Sequence, residues 1–229
     1  CHPLGSPLVP QRDIALQQVH FTYPNAAESA VAGIDLTIPV GSSIGLVGGT
    51  GAGKTTLVDL LLGLLRPTKG AIAVDGEPIT DDILRAWQNT LGYVPQETFL
   101  TDSTVAENIA LGVLKEEVDM AKVRYCAKLA HIHEFIETEM PYGYDTVVGE
   151  RGVRLSGGQR QRTGIARALY HDPSVLVFDE ATSALDTVTE KAVMQGIENL
   201  HHEKTIILIA HRLSTVQGCD KVVLLEKGQ

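Results

Sequence analysis

One segment restricts the fold of this chain more than any other: Gly48-Gly49-Thr50-Gly51-Ala52-Gly53-Lys54-Thr55. It matches the pattern G-x-x-x-x-G-K-[ST]. It lies between a short apolar run, Ile44 to Val47, and a leucine-rich stretch of helical length, Lys54 to Leu65. Strand, glycine loop and helix in that order form a phosphate-binding loop. Glycine lets the backbone curl until successive N–H groups face phosphate oxygens, and the helix adds its positive N-terminal end. Lys54 then reaches the β- and γ-phosphates and the Thr55 hydroxyl ligates Mg2+. A chance match of the four fixed positions occurs in about 1% of chains of this size at average composition. The candidate ATP contacts are therefore Gly48, Gly49, Thr50, Gly51, Ala52, Gly53, Lys54, Thr55 and Thr56.

A second element completes such a site. Ser174 to Glu180, SVLVFDE, is an apolar strand that ends in two carboxylates. Asp179 at the strand tip is the candidate for the Mg2+ shell, and Glu180 for polarising the attacking water. Alone, such a strand is equally well structural; beside a phosphate loop it is the expected partner.

Strands are also expected at 14–23, 34–38, 71–75, 91–94, 205–209 and 222–225, with helices over 54–65 and 187–200. Between about 103 and 170 helical periodicity takes over, which reads as an α-helical subdomain inserted into an α/β core. Alternating strands and helices imply a mainly parallel sheet that binds ligands at the carboxyl ends of its strands. Residues 1–12, with Pro3, Gly5, Ser6, Pro7 and Pro10, read as a linker or an expression remnant preceding a domain over 13–229.

The net charge of −9 argues against a nucleic-acid binder, while a triphosphate needs only a local positive site. Cys1, Cys126 and Cys219 are odd in number and lack metal-ligand spacing, so they read as reduced thiols of a cytosolic protein. No apolar run approaches the roughly 18 residues of a membrane span, and no charged-then-apolar leader opens the chain. His131, His133, His201 and His202 read as surface residues.

The class is decided by Leu155-Ser156-Gly157-Gly158-Gln159. It forms a second phosphate cradle, with Ser156 as a helix N-cap and two glycines exposing N–H groups at a helix start. Here the sequence resembles the ATP-binding-cassette ATPases, from about residue 13 to 229. The resemblance implies an α/β fold: a phosphate-loop NTPase core with a parallel sheet, an N-terminal antiparallel β subdomain and an inserted α-helical subdomain. It also implies residue roles. Tyr23 would stack on adenine. Gln96 would sense Mg2+ and the attacking water, and His211 would contact the γ-phosphate beside Lys54 and Glu180. Thr55, Gln96 and Asp179 would hold the metal, and Asp186 would touch a partner domain. Two such domains close head to tail, so the segment from Leu155 to Gln159 would serve the partner's ATP, the pair being a homodimer.

Asp145 to Gly152, DTVVGERG, resembles an exporter segment that touches a membrane domain, so the chain resembles the C-terminal motor of an exporter or flippase at the cytoplasmic face of the inner membrane. YVPQETFLTDSTVAENI, with Thr101 where many multidrug and lipid exporters carry Phe, and LYHDP resemble flippases of lipid-linked oligosaccharide or polysaccharide. Alternatives from other classes stay open: a soluble cassette ATPase of DNA repair or chromosome maintenance, which would carry long coiled coils, and a regulatory nucleotide-binding module without turnover. A nucleotide kinase would share the phosphate loop but lack LSGGQ.

Overall fold

The computed structural model describes residues 7–150, 152–199, 203–211 and 213–229. Cys1, His201 and His202 lie outside the described residues, as do Arg151, within the exporter-like segment, and Arg212. In chain order the elements are β1 (Asp13–Phe21), β2 (Val31–Pro39), β3 (Ser43–Gly48), α1 (Lys54–Leu61), β4 (Lys69–Val74), β5 (Glu77–Pro78), α2 (Asp81–Gln88), β6 (Leu91–Val94), α3 (Val105–Ile109), α4 (Met120–Leu129), α5 (His133–Glu139), α6 (Gly157–Tyr170), β7 (Val175–Asp179), α7 (Thr187–Glu198), β8 (Thr205–Ala210), α8 (Leu213–Val216) and β9 (Lys221–Leu225).

The chain divides into two units, the first comprising Cys1–Leu91, Pro173–Asp179 and His201–Gln229. Within it, β3 lies between β8 and β9 and pairs parallel with both, and β7 pairs parallel with β8. β8 is buried at all six positions and β3 at five, as expected of parallel strands covered on both faces. Continuous runs such as TIILIA fit this setting because no position has to face water. β1, β2, β4 and β5 form an antiparallel sheet in the order β2-β1-β4-β5. β2 alternates buried with exposed from Ile34 onward, the pattern of a sheet with one covered face. Ile14, Leu16, Ile38, Leu46, Leu57, Leu60, Val175 and Ile207 share one core. Trp87 of α2 joins it at 1% exposure and donates Nε1–H to Leu61 O at 2.7 Å, which satisfies its one polar atom.

α1 ends at Leu61, four residues before the sequence pattern suggests. Gly63 adopts φ +69, its N–H bonds Leu60 O at 3.1 Å, and Leu64 N–H bonds Asp59 O at 2.8 Å. These paired bonds close a helix around a left-handed residue that only glycine adopts cheaply. Residues 8–12 run along the same unit: Leu8 N–H bonds Ala86 O at 2.9 Å, and Asp75 accepts the N–H groups of Gln11, Arg12 and Asp13.

The second unit, Gly92–Asp172 and Glu180–Leu200, holds α3 to α7. α6 packs against α3 and α4 and buries Gln161, Thr163, Gly164, Ile165, Ala168 and Leu169. A Cβ on Gly164 would collide with the hydroxyl of Thr98, so close approach requires glycine there. His133 departs from its expected surface setting. It is half-buried at the start of α5, with Nδ1 2.8 Å from the hydroxyl of Tyr144, a buried phenol that needs a polar partner. Burial pushes the Tyr144 hydroxyl up to about 12. His131 is exposed, and its carbonyl accepts Arg162 Nη1 at 2.5 Å.

The helix starts differ in charge. α2 opens on Asp81 and Asp82, α3 carries Glu107, α4 is capped by Asp119, α5 carries Glu134, and α7 has Asp186 as cap and Glu190 in its first turn. α1 and α6 carry no acidic residue in the first turn, and their caps are Gly53 and Ser156.

Candidate nucleotide-binding site

The glycine-rich loop joins β3 to α1. Gly51 and Gly53 take φ +78 and +97, the left-handed region that side chains resist. A Cβ on Gly49 or Gly51 would meet nothing within 4 Å, so this face of the loop is open. A Cβ on Gly48 would lie 2.6 Å from Leu225 O, and one on Gly53 would strike Ala30 O, so the opposite face is packed against protein. Ala52 belongs to that packed side, and its carbonyl accepts Gly228 N–H at 3.0 Å. Thr50 and Thr55 are exposed.

Lys54 is 7% exposed, and its ammonium donates to Gly48 O at 2.6 Å and Gly49 O at 3.1 Å. A buried cation is thereby held at the mouth of the loop by neutral carbonyls, an arrangement that an anion stabilises further. Thr56, a candidate contact, is buried, and its hydroxyl lies 3.2 Å from that of Tyr23. The Tyr23 ring is 42% exposed and stands edge-on to Phe21, with centroids 4.9 Å apart. It thus offers an aromatic surface to solvent close to the start of α1.

Sheet register assembles the rest of the first unit's contribution. Val47 pairs with Ala210 of β8, and Asp179 of β7 pairs with Ile209. The loop from Gly48, the carboxylate of Asp179 and the exposed His211 just past β8 therefore share the carboxyl end of one parallel sheet. The chain leaves this unit directly after Asp179. Glu180 takes φ +51, a conformation costing a residue with a Cβ about 1 kcal/mol or more. The turn that follows is closed by Ser183 N–H to Glu180 O at 3.1 Å and Leu185 N–H to Thr182 O at 3.0 Å.

In the second unit, Ser156 caps α6 with a capping box. Its hydroxyl accepts Gln159 N–H at 3.2 Å, and Gln159 Oε1 accepts Ser156 N–H at 2.8 Å. Leu155 is buried. Of the two glycines after Ser156, Gly158 is packed tightly: a Cβ there would come 3.1 Å from Ala184 O. Gln96 is exposed, and its carbonyl accepts Gln161 Nε2–H at 3.1 Å. Asp186, expected at a partner surface, is exposed and caps α7 through the N–H groups of Val188 and Thr189 and the Thr189 hydroxyl. The side-chain hydrogen bond from Thr189, with the backbone bonds, holds its carboxyl below the ordinary range.

The exporter-like segment is fastened to the loop ahead of α3. Val105 N–H bonds Thr146 O at 3.0 Å, Val148 N–H bonds Ser103 O at 2.9 Å, and Val147 bridges Thr104. Beside it opens a groove of about 950 Å³, lined by Gln96, Phe99, Glu150, Arg154, Arg160 and Ala184 among others. Phe99 is 73% exposed there. Thr101 is tied to Asn108 Oδ1 through its N–H at 2.9 Å and its hydroxyl at 3.2 Å.

Sequence reasoning missed Gln161, Asn108 and Arg167. Gln161 and Asn108 are buried, and Arg167 donates to Asn108 O at 2.7 Å and Phe99 O at 2.9 Å. A signal existed: Gln161 is four residues before Ile165 and eight before Leu169, on the buried face of α6. Polar groups in such positions are normally hydrogen-bonded for a reason.

The profile of the ABC transporter family matches residues 31–183. An ATP-dependent lipid A-core flippase of Cupriavidus pinatubonensis is 43% identical over 218 residues, covering 95% of this chain and 37% of the relative. The heterocyst differentiation ATP-binding protein HepA of Nostoc is 47% identical over 96% of the chain and 35% of its own length. The leukotoxin translocation ATP-binding protein LktB of Mannheimia glucosida is 43% identical over 96% of the chain and 30% of its own length. This chain thus spans about a third of the length of these relatives. A solved bacterial Atm1-family ABC exporter with ATP bound superimposes with a TM-score of 0.89 at 39% identity, over 99% of this chain and 39% of that one. Among the described residues no helix is long and apolar enough to cross a membrane. With residues 31–183 matching the family and an α/β architecture shared with that exporter, the chain belongs to the ABC transporter family, as an ATPase domain.

Proposed function

We propose that this domain is the motor of an exporter or flippase. Two copies pair head to tail around ATP, and hydrolysis drives a membrane domain carried elsewhere in the transporter. One observation carries the reading: the glycine-rich loop opens α1 and the segment LSGGQ opens α6, and neither helix carries a carboxylate at its cap or in its first turn.

In this reading, Gly48 to Thr56 and Lys54 bind the phosphates and Tyr23 receives the adenine. His211 contacts the γ-phosphate and Glu180 orients and polarises the attacking water. Thr55, Asp179 and Gln96 supply hydroxyl, carboxylate and amide oxygens, a hard donor set that fits Mg2+. The metal's contribution when bound is to neutralise charge developing on the transferred phosphoryl group. The left-handed backbone at Glu180 supports its assignment, since strained conformers concentrate at functional sites. Ser156 to Gln159 act on the partner's nucleotide, with Leu155 anchoring the cap and Asp186 near the partner. The groove beside Phe99 and Glu150 receives a loop of the membrane domain, on the cytoplasmic face of the membrane. A lipid-linked glycan or a lipid is the cargo class, in keeping with the lipid A-core flippases among the relatives.

The test is Glu180→Gln. In ATP and Mg2+ the variant binds nucleotide, loses turnover and elutes as a dimer in light-scattering chromatography, while nucleotide-free protein elutes as a monomer. Native turnover in the variant, or a monomer with ATP bound, overturns the proposal.

A further inference from the structure

We infer that Gln161 is a positioning residue for hydrolysis, fixing the backbone at Gln96 and the loop at 183–184 to the same helix. The inference rests on the function proposed above and adds a residue to it.

Gln161 is 3% exposed and every polar atom of its amide is engaged. Nε2 donates to Gln96 O at 3.1 Å and to Ser183 Oγ at 3.1 Å, and Oε1 accepts Ala184 N–H at 3.0 Å. The orientation of the amide is forced. A carbonyl oxygen can only accept and a backbone N–H can only donate, so rotating the amide by half a turn would set like against like on two sides. One side chain therefore joins three things. It ties the residue assigned to the metal and attacking water to the loop between Glu180 and Asp186. It ties both to the helix whose start is the second cradle, one turn from Ser156 and Gln159. Arg167, six residues further on, grips Phe99 O at 2.9 Å, so α6 holds the segment 96–99 at both ends. Such networks transmit small shifts, because leaving a buried member such as the Gln161 amide unpaired is costly.

The physical consequence concerns geometry more than affinity. Gln161 lies outside the glycine-rich loop, so its loss leaves the phosphate contacts of Gly48 to Thr56 intact. What it changes is the position of Gln96, where a misplacement of about 1 Å is enough to cost up to a hundredfold in rate.

Two substitutions of similar volume test this in the purified chain, at concentrations that allow pairing. Gln161→Met deletes all three hydrogen bonds. Gln161→Glu still accepts from Ala184 N–H and keeps the Ser183 contact with its direction reversed, the hydroxyl turning to donate, but it cannot donate to Gln96 O. Both should lower kcat by about tenfold or more while the Kd for a fluorescent ATP analogue stays within about twofold. Native kcat in either variant overturns the inference. So does a loss of kcat matched by an equal loss of nucleotide affinity, which marks general damage to the fold. If Gln161→Met fails to fold, Gln161→Glu, which keeps two of the three contacts, decides alone. A wild-type chain that neither binds nor hydrolyses ATP overturns the proposed function itself, and is distinguished by being measured first.

Discussion

Alanine substitution along the glycine-rich loop should separate positions that serve the fold from positions that serve the ligand. At Gly53 two costs add. A residue with a Cβ at φ +97 pays about 1–2 kcal/mol for the left-handed backbone. Its methyl also strikes Ala30 O, and overpacking of this kind costs a further 1–3 kcal/mol or so. The sum is about 2–5 kcal/mol. For a domain of this size, where each kcal/mol moves the midpoint by roughly 2–4 °C, Tm falls by about 4–20 °C. Gly51 has φ +78 but open space around its would-be methyl, so only the backbone cost applies, about 2–8 °C. Gly49 has neither a positive φ nor a neighbour within 4 Å, and Gly49→Ala should melt with the wild type or about a degree above it. Scanning calorimetry without nucleotide, at one scan rate, ranks the three. Nucleotide titration adds the second readout, since the methyl groups at 49 and 51 project into the open face where phosphates would lie. A Gly49→Ala protein that melts as early as Gly53→Ala refutes the division of the loop into an open and a packed face.

Lys54→Ala removes the cation at the mouth of that loop and should weaken ATP binding by about a hundredfold, the worth of one or two charge-assisted hydrogen bonds; calorimetric titration checks it. Asp186 makes a pH-dependent contribution. Its folded carboxyl titrates below the ordinary range because Thr189 and the start of α7 stabilise the charged form. The cap therefore stabilises fully above the unfolded carboxylate range and is lost as pH falls through the depressed folded value. Asp186→Ala should lower Tm at neutral pH, with the gap to wild type closing in acid; a gap constant across that range contradicts the assignment.

The parallel strands were legible because buried runs such as SVLVF and TIILIA have no other reading beside a phosphate loop. α2 was not. Its eight residues make only about two turns, too short a window to separate a helical period from chance, and what positions the helix is the tertiary contact of Trp87 with Leu61. The end of α1 was masked by the leucines at 60–65, since helix termination there is set by the backbone of Gly63 and not by hydrophobicity. Within the candidate site, motifs indicate residue types but not the spatial order of strands. The pairing of Val47 with Ala210, more than 150 residues later, is what brings His211 to the loop. Gln161 escaped notice because it stands just beyond the motif LSGGQ, where its importance lies in what it holds together.

The distribution of acid over the helix starts has a consequence for how a polyanion meets this protein. With a net charge of −9, most of the surface repels a triphosphate. Carboxylates at the starts of α2, α3, α4, α5 and α7 offset the partial positive charge that would otherwise attract it, and Asp119 and Asp186 also take up first-turn N–H groups of α4 and α7. The caps of α1 and α6 are a glycine and a serine hydroxyl, so neither helix start carries a formal negative charge of its own. An acidic protein of this kind discriminates by subtraction: carboxylates make five helix starts less attractive to an anion, and α1 and α6 are left without that penalty.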